Sequence, residues 1–175
     1  MRTLVLYYSN TGNTQKVAKQ LAARLGADLA EVTCGAYLRW YGPLAMAWDI
    51  FTRHAPKVDV LVPVGASYDV VVVGGPVWAA HAAPPILALA NHPLMKSAFP
   101  AFFVTCSGDS PKSPPEPAVQ EMRQMAKRPC LSSWIFRARD LDPGPLAAAT
   151  ERFAHTIEVV AADHLESRTA RQPSL

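Results

Sequence analysis

A short segment rich in hydroxyl and amide side chains, Ser9-Asn10-Thr11-Gly12-Asn13-Thr14, stands near the start of the chain. It follows an apolar, strand-like run from Thr3 to Tyr8 and precedes a helical pattern that ends at Gly26. A loop between a strand and a helix collects free backbone N–H groups and the positive end of the helix dipole at one point. Hydroxyls add donors, and a glycine lets the backbone approach a ligand. The segment therefore predicts a phosphate site that needs no lysine or arginine.

The same segment has a simpler interpretation, an ordinary helix cap, which needs only one Ser, Thr or Asn side chain. It holds more such side chains than a cap requires, so phosphate binding is favoured. Two nucleotide motifs are absent from the sequence, the nucleoside-triphosphate loop GxxxxGK[ST] and the dinucleotide turn GxGxxG. Magnesium-dependent phosphoryl transfer loses support accordingly.

Strand-like and helical segments alternate along the 175 residues, as in βαβ units. Five segments have the pattern of strands: Thr3 to Tyr8, Asp28 to Val32, Val70 to Val73, Ala101 to Thr105 and Leu131 to Arg137. We therefore predict a three-layer α/β/α sandwich around a five-stranded parallel sheet. This domain is expected over residues 1–166, with a frayed tail over residues 167–175.

Three segments together resemble the flavodoxin-like family of FMN-binding flavodoxins and NAD(P)H-quinone reductases. The segment from Ser9 to Thr14 resembles the family's phosphate loop. Tyr68 to Trp78 resembles its third strand and the loop after it, and Phe102 to Asp109 resembles its fourth strand and a flavin-contacting loop. The resemblance covers most of the chain and is weak in the last third. It implies the strand order 2-1-3-4-5, FMN as cofactor, and a site at the carboxyl ends of the strands.

The resemblance also implies which residues bind the cofactor. The phosphate would lie against Ser9, Thr11, Asn13 and Thr14, with Asn10 and Gly12 in the same loop. The isoalloxazine ring would be flanked by Pro76, Val77, Trp78 and Ala79, with Cys106, Ser107, Gly108 and Asp109 along its other edge. Trp78 is the expected stacking residue because a broad aromatic face suits a planar flavin. Its alternative is a core tryptophan that covers the sheet.

Three further side chains of these loops have open roles. His81 could stabilise a reduced flavin or a quinone oxygen, and its alternative is a solvated or backbone-bonded histidine. Asp109 either accepts from the flavin's imide or holds its own turn. Cys106 is interpreted as a small loop residue, because no base lies near it in the sequence.

An aromatic group precedes the third strand. Trp48 is predicted to lie in the core, because Leu44, Trp48 and Phe51 repeat at helical spacing. Trp40 and Tyr41 either cover the flavin or build a subunit interface. A homodimer is therefore one of the partners considered.

Composition limits the class of function. The net charge is +3 and no run of Lys or Arg occurs, so nucleic acid is not expected as a partner. Three cysteines without CxxC spacing and five scattered histidines favour a cytoplasmic protein with reduced thiols and no metal site. The uncharged stretch from Val70 to Leu94 is interrupted by glycines and prolines, so no membrane span is predicted.

Three functions fit these features. The favoured one is an FMN-dependent oxidoreductase that passes electrons from a reduced nicotinamide, or another donor, to a quinone-like or small acceptor, since the flavin itself carries the chemistry. The second is a flavodoxin-type electron carrier with a redox protein partner. Such carriers usually present an acidic surface, and this chain has a pI near 8.9. The third is a non-enzymatic module that binds a flavin or phosphate ligand.

Overall fold

A parallel β-sheet forms the centre of the computed structural model, which describes residues 1–62, 66–108 and 113–170. The strands are β1 (Thr3–Tyr7), β2 (Asp28–Thr33), β3 (Asp59–Val60), β4 (Val70–Trp78), β5 (His81–Ala82), β6 (Phe99–Cys106) and β7 (Ser133–Arg137). The helices are α1 (Asn13–Leu25), α2 (Gly42–Thr52), α3 (Pro84–Leu87), α4 (Leu94–Ser97), α5 (Glu116–Gln124) and α6 (Pro143–Ala170). Two 3₁₀ turns, Ala88–Asn91 and Ala138–Asp140, complete the described elements.

Five parallel strands lie in the order β2-β1-β4-β6-β7, which confirms the predicted fold class and strand order. The described part of the chain also contains two short antiparallel strands that the sequence did not predict. β3 pairs with β2 at one edge, and β5 folds back on the end of β4. β1 is central, since Leu4 stands beside Asp28 on one side and Val71 on the other.

Strand β4 shows why the sheet needs helices on both faces. Val70 and Val72 belong to the core cluster that α1 and α6 cover, together with Val17 and Phe153. Val71 and Val73 belong to the opposite cluster, which α3, α4 and α5 cover. Successive side chains of a strand point to opposite faces, so an unbroken valine run is buried only between two helical layers.

Two glycines in β4 are required by packing. A Cβ atom on Gly74 would fall inside the ring of Phe103, and one on Gly75 would lie 2.6 Å from Cγ1 of Ile86. The neighbouring side chains thus occupy the space above and below the strand, just before it reaches the loop that carries Pro76 to Trp78.

Helix α2 does not bury the residues expected of it. Leu44, Trp48 and Phe51 share one face, as their spacing predicts, but they are 72%, 65% and 86% exposed. The predicted core position of Trp48 is therefore wrong. The helix turns the opposite face inward, where Asp49 is buried and accepts a hydrogen bond from the Tyr37 hydroxyl at 2.8 Å.

Helix α6 continues to Ala170, so its backbone includes the first residues of the segment expected as a tail, and residues 171–175 lie outside the described part. Within that part, no helix combines the length and the apolar character that crossing a bilayer requires.

Candidate functional site

The carboxyl ends of β1, β4 and β6 meet at one edge of the sheet and enclose a cleft of about 170 Å³. The cleft is lined by Asn10, Thr11, Asn13, Thr14, Pro76, Val77, Trp78, Thr105, Cys106 and Ser107. This edge is where open α/β sheets place their ligands. The topology thus brings together three loops that are far apart in the sequence.

The loop after β1 is shaped by a left-handed glycine. Gly12 precedes the first residue of α1 with φ of 89°, a conformation that a side chain would strain. Nothing lies within 4 Å of the place where its Cβ would be, so the positive φ rather than crowding requires a glycine here. The Gly12 N–H donates to Oγ of Ser9 at 3.1 Å, which closes the loop.

The start of α1 has the donors that an anion needs. Gly12 makes no side-chain cap hydrogen bond, and the Lys16 N–H is the first to bond back to Gly12. Within the described part of the chain, no carbonyl or side chain accepts from the N–H groups of Asn13, Thr14 and Gln15. This geometry favours an anion site over the helix-cap interpretation, because the hydroxyl side chains leave these N–H groups open.

No cationic side chain among the described residues lines the cleft. Lys16, on the first turns of α1, directs its Nζ to the carbonyl oxygen of Leu141 at 2.5 Å. Within the described part of the chain, the positive potential at the cleft therefore comes from the helix terminus and from aligned N–H groups.

Thr14 differs from the other loop residues in being buried. Its hydroxyl lies 2.7 Å from the hydroxyl of Thr105, near the end of β6, which is also buried. One hydrogen bond joins the two hydroxyls and uses one of their two hydrogens, so the pair keeps one O–H to donate. Thr105 was not among the predicted site residues, because its position at the end of a predicted strand was the only feature that marked it in the sequence.

Trp78 forms one wall of the cleft and is half-buried. Its ring packs edge-on against Tyr8, with centroids 5.7 Å apart, and at 6.4 Å from Tyr37. Burial raises the pKa of Tyr8 to about 12 and also raises the pKa of Tyr37, so both phenols are neutral at ordinary pH. The indole is thus held by two uncharged aromatic neighbours while part of it remains open to the cleft.

A tight hairpin carries Trp78. The two turn residues between β4 and β5, Ala79 and Ala80, have φ of 49° and 68°. Left-handed conformation in both positions is the pattern of a type I′ turn, which usually selects Asn and Gly. The Ala80 N–H donates to Oγ of Ser113 at 2.8 Å, which ties the turn to the segment before α5.

His81 lies outside the cleft, in a charged cluster behind Trp78. Its Nδ1 is 2.7 Å from Oε1 of Glu121, and Arg53 donates to the same carboxylate at 2.5 Å. The other oxygen of Glu121 accepts from the Ala82 N–H at 3.1 Å. His81 is therefore bonded to a carboxylate on α5. The sequence had suggested either a role at the flavin or a histidine that is solvated or bonded to the backbone. Glu121 and Arg53 carried no signal in the sequence that linked them to His81.

The remaining predicted site residues fall in different places. Ser9, Gly12 and Ala79 support the loops without lining the cleft, and Gly108 follows the lining residue Ser107. Cys106 lines the cleft and is half-buried. Asp109 lies outside the described residues, so its two expected roles stay predictions.

Comparisons with known proteins agree on the fold. No protein-family model and no curated protein matches the sequence. Solved structures do match. A flavoprotein from Lactobacillus acidophilus, crystallised in complex with FMN, is 21% identical, with a TM-score of 0.64 over 81% of this chain and 96% of that one. A putative flavoprotein from Bacteroides eggerthii is 20% identical, with a TM-score of 0.65 over 91% and 98%.

A WrbA-like flavodoxin from Agrobacterium tumefaciens is 16% identical, with a TM-score of 0.57 over 93% of this chain and 98% of that one. Each of these structures aligns with this chain over nearly the whole of its own length. The chain therefore has the flavodoxin-like fold.

Proposed function

We propose that this chain binds FMN in the cleft and is an FMN-dependent oxidoreductase. The observation that carries the proposal is the open start of α1, which shares one cleft with Trp78 and with the end of β6. An anion-binding helix terminus beside an aromatic wall suits a ligand with a phosphate at one end and a planar ring at the other.

The described residues fit FMN by their chemistry. The phosphate would take the N–H groups of Asn13, Thr14 and Gln15 and the hydroxyl of Thr11. The ring would lie against Trp78, with residues 106–108 along its other edge. All of these donors are neutral, and a phosphate dianion accepts strong hydrogen bonds from neutral N–H groups. When bound, FMN supplies the electron-transfer chemistry, while the chain binds and orients it.

We propose a reduced nicotinamide as electron donor and a quinone-like or other small molecule as acceptor. The lining contains no carboxylate or imidazole among the described residues. Hydride can pass directly between stacked rings, so this reaction needs no separate acid–base pair in the wall. A protein-to-protein carrier receives less support, because the described lining residues offer no acidic group that would steer a basic partner.

The wider setting belongs to the same proposal. A cytoplasmic location is supported by the cysteine content, three residues without CxxC spacing, since thiols stay reduced there. One domain over residues 1–166 is supported by the single sheet that both core clusters share. A homodimer is supported by the exposed aromatic side chains around α2.

The test begins with an absorbance spectrum of the purified protein, repeated after FMN is added and the sample is desalted. We expect retained flavin bands, followed by oxidation of NADH or NADPH when a quinone is supplied. Retained flavin without turnover, but with electron transfer to a redox protein, would support the carrier instead. A protein that keeps no FMN at micromolar concentration would contradict the proposal.

A further inference from the structure

The outer surface of α2 and of the turn before it carries five of the exposed large apolar side chains, and no other described part of the chain covers it. It consists of five large side chains, Leu38, Trp40, Leu44, Trp48 and Phe51, which we call the α2 patch. Leu38 and Trp40, in the turn before the helix, are 82% and 91% exposed. They add to the three exposed helix residues described above. Monomeric proteins rarely leave large apolar patches exposed to water.

The α2 patch lies on a helix whose inner face is held by polar contacts. Asp49, on the inner face of α2, accepts from the Tyr37 hydroxyl and lies 2.9 Å from Nδ1 of His54. Arg53, directly after the helix, bonds to Glu121 on α5. These polar contacts hold the inner face, so α2 cannot bury its outer face by rolling over without breaking them.

We propose that the α2 patch is a homodimer interface, occupied by the same patch of a second copy of this chain. The inference deepens the homodimer part of the proposed function and rests on it. If a fully exposed large side chain counts about 200 Å², the five side chains offer on the order of 800 Å² per copy. A standard stable interface buries roughly 800 Å² on each partner.

The shape and charge of the patch suit a two-fold contact. Leu44, Trp48 and Phe51 form one stripe along α2, and such a stripe can pack against its own copy across a two-fold axis. The one charged residue of α2, Asp49, points inward and is buried. Two copies can therefore meet without bringing like charges of the helix together. Aromatic residues are also enriched at the centres of protein interfaces.

A lipid surface fits the patch less well. Interfacial helices carry Lys and Arg on their polar face, and recognition of anionic lipids uses clusters of about 4–8 such residues. Helix α2 has no Lys or Arg. Arg39 precedes the helix, and Arg53 and Lys57 follow it, with Arg53 bonded to Glu121. We therefore infer a protein partner, and make membrane binding an outcome of the test.

The experiment measures molecular mass by sedimentation equilibrium over a range of protein concentrations. The wild-type protein is expected to be a dimer, and Trp48→Glu is expected to raise the dimer dissociation constant at least about 30-fold, as loss of an interface hot spot does. Phe51→Glu should act in the same direction. The matched control is Val159→Glu, a charge placed on an exposed apolar residue of α6, on the opposite face of the sheet, and it should leave the dimer unchanged.

Circular dichroism of each variant shows that the fold is kept, and flavin absorbance is recorded in the same samples. Mass and flavin content are separate readouts, so loss of the dimer and failure of FMN binding are distinguished. A wild-type protein that stays monomeric at its highest soluble concentration would overturn the proposal. The proposal would also be overturned if Val159→Glu dissociated the dimer while Trp48→Glu had no effect. A third contrary result would be a monomer that sediments with phosphatidylglycerol vesicles and loses this binding in Trp48→Glu.

Discussion

Thr11 and Thr14 stand three residues apart, one in the loop after β1 and one in the first turn of α1, and they have different surroundings. Thr11 is exposed at the cleft, whereas Thr14 is buried and shares a hydrogen bond with Thr105. The sequence assigns both hydroxyls to one phosphate. The structure adds that the second hydroxyl also joins the loop to β6, so the two threonines are expected to contribute differently to stability and to binding.

The first prediction separates these contributions. Thr105→Val should lower the free energy of unfolding by about 2 kcal/mol, because the buried Thr14 hydroxyl loses its partner. The double variant Thr14→Val/Thr105→Val should recover part of that loss, since neither hydroxyl is then left alone. Thr11→Ala should leave unfolding unchanged and weaken FMN binding about tenfold. Urea denaturation and FMN titration measure the two effects, and strictly additive losses in the double variant would contradict the pairing.

The second prediction concerns Trp78. Replacing Trp78 by Ala should restore much of the fluorescence of bound FMN, because an indole stacked on the flavin quenches it. Trp78→Phe should keep most of the affinity, since an aromatic face remains. Fluorescence titration with FMN measures both. An emission spectrum identical in wild type and Trp78→Ala would remove this residue from the ring contacts.

At the scale of the element, the hairpin of β4 and β5 combines strain with firm attachment. Ala79 and Ala80 both hold a left-handed backbone, and Ser113 and Glu121 bind the hairpin from the side of α5. The strain is therefore maintained by contacts that lie far away in the sequence. Such strain often occurs where a backbone serves a ligand.

The third prediction tests this strain. The double variant Ala79→Asn/Ala80→Gly, which introduces the preferred residues of a type I′ turn, should raise the free energy of unfolding by about 1 kcal/mol. A matched control is Ala148→Gly, on an exposed position of α6, which should lower it by about 1 kcal/mol. Urea denaturation measures both variants. A loss of stability in the hairpin variant would show that the turn is not under strain.

The five parallel strands could be predicted because each is a short apolar run that precedes turn residues. The predicted start of the third strand, Val70, agrees with β4, although β4 continues through the glycines to Trp78. β3 and β5 were not predicted because each has two residues, which is too short to show the alternation of apolar and polar side chains that marks a strand. The orientation of α2 was missed for a different reason. Helical spacing shows that Leu44, Trp48 and Phe51 share a face, but it does not show whether another part of the chain covers that face.

The loops of the cleft could be predicted because their residue types cluster within a few positions and follow strand ends. The contacts behind the cleft could not. His81 bonds to Glu121, 40 positions later, and to Arg53, 28 positions earlier. A sequence pattern shows only the spacing of residues that are close along the chain. These pairs could not be predicted because they form only when α2, β5 and α5 pack together.

At the scale of the whole molecule, α1 and α6 cover the same face of the sheet and are joined by one arginine. Arg24 bonds to Glu151 at 2.5 and 2.9 Å and to Glu158 at 3.0 and 3.2 Å. The hydrogen bond from Arg24 lowers the pKa of Glu151 below its ordinary value. The ion pair links residues on the first and last helices of the described chain.

The fourth prediction follows from the sign of this shift. Because the pKa of Glu151 is lower in the folded state than in the unfolded state, its contribution to stability is complete above about pH 4.3 and is lost as the pH falls through the folded-state value. The difference in unfolding free energy between wild type and Glu151→Gln should therefore be largest near neutral pH and vanish in acid. Added salt should reduce it at neutral pH. A difference that is constant with pH would contradict the role of the ion pair.

The central position of β1 also affects how the chain is made. Leu4 pairs with Asp28, which follows soon, and with Val71, which is 67 residues later. At a synthesis rate of about 5–20 residues per second, one edge of β1 waits roughly 3 to 13 s for its neighbour to leave the ribosome. All five residues of β1 are buried in the finished fold. During translation this edge of β1 is unpaired, so its backbone N–H and C=O groups are open to pairing with another chain until β4 emerges.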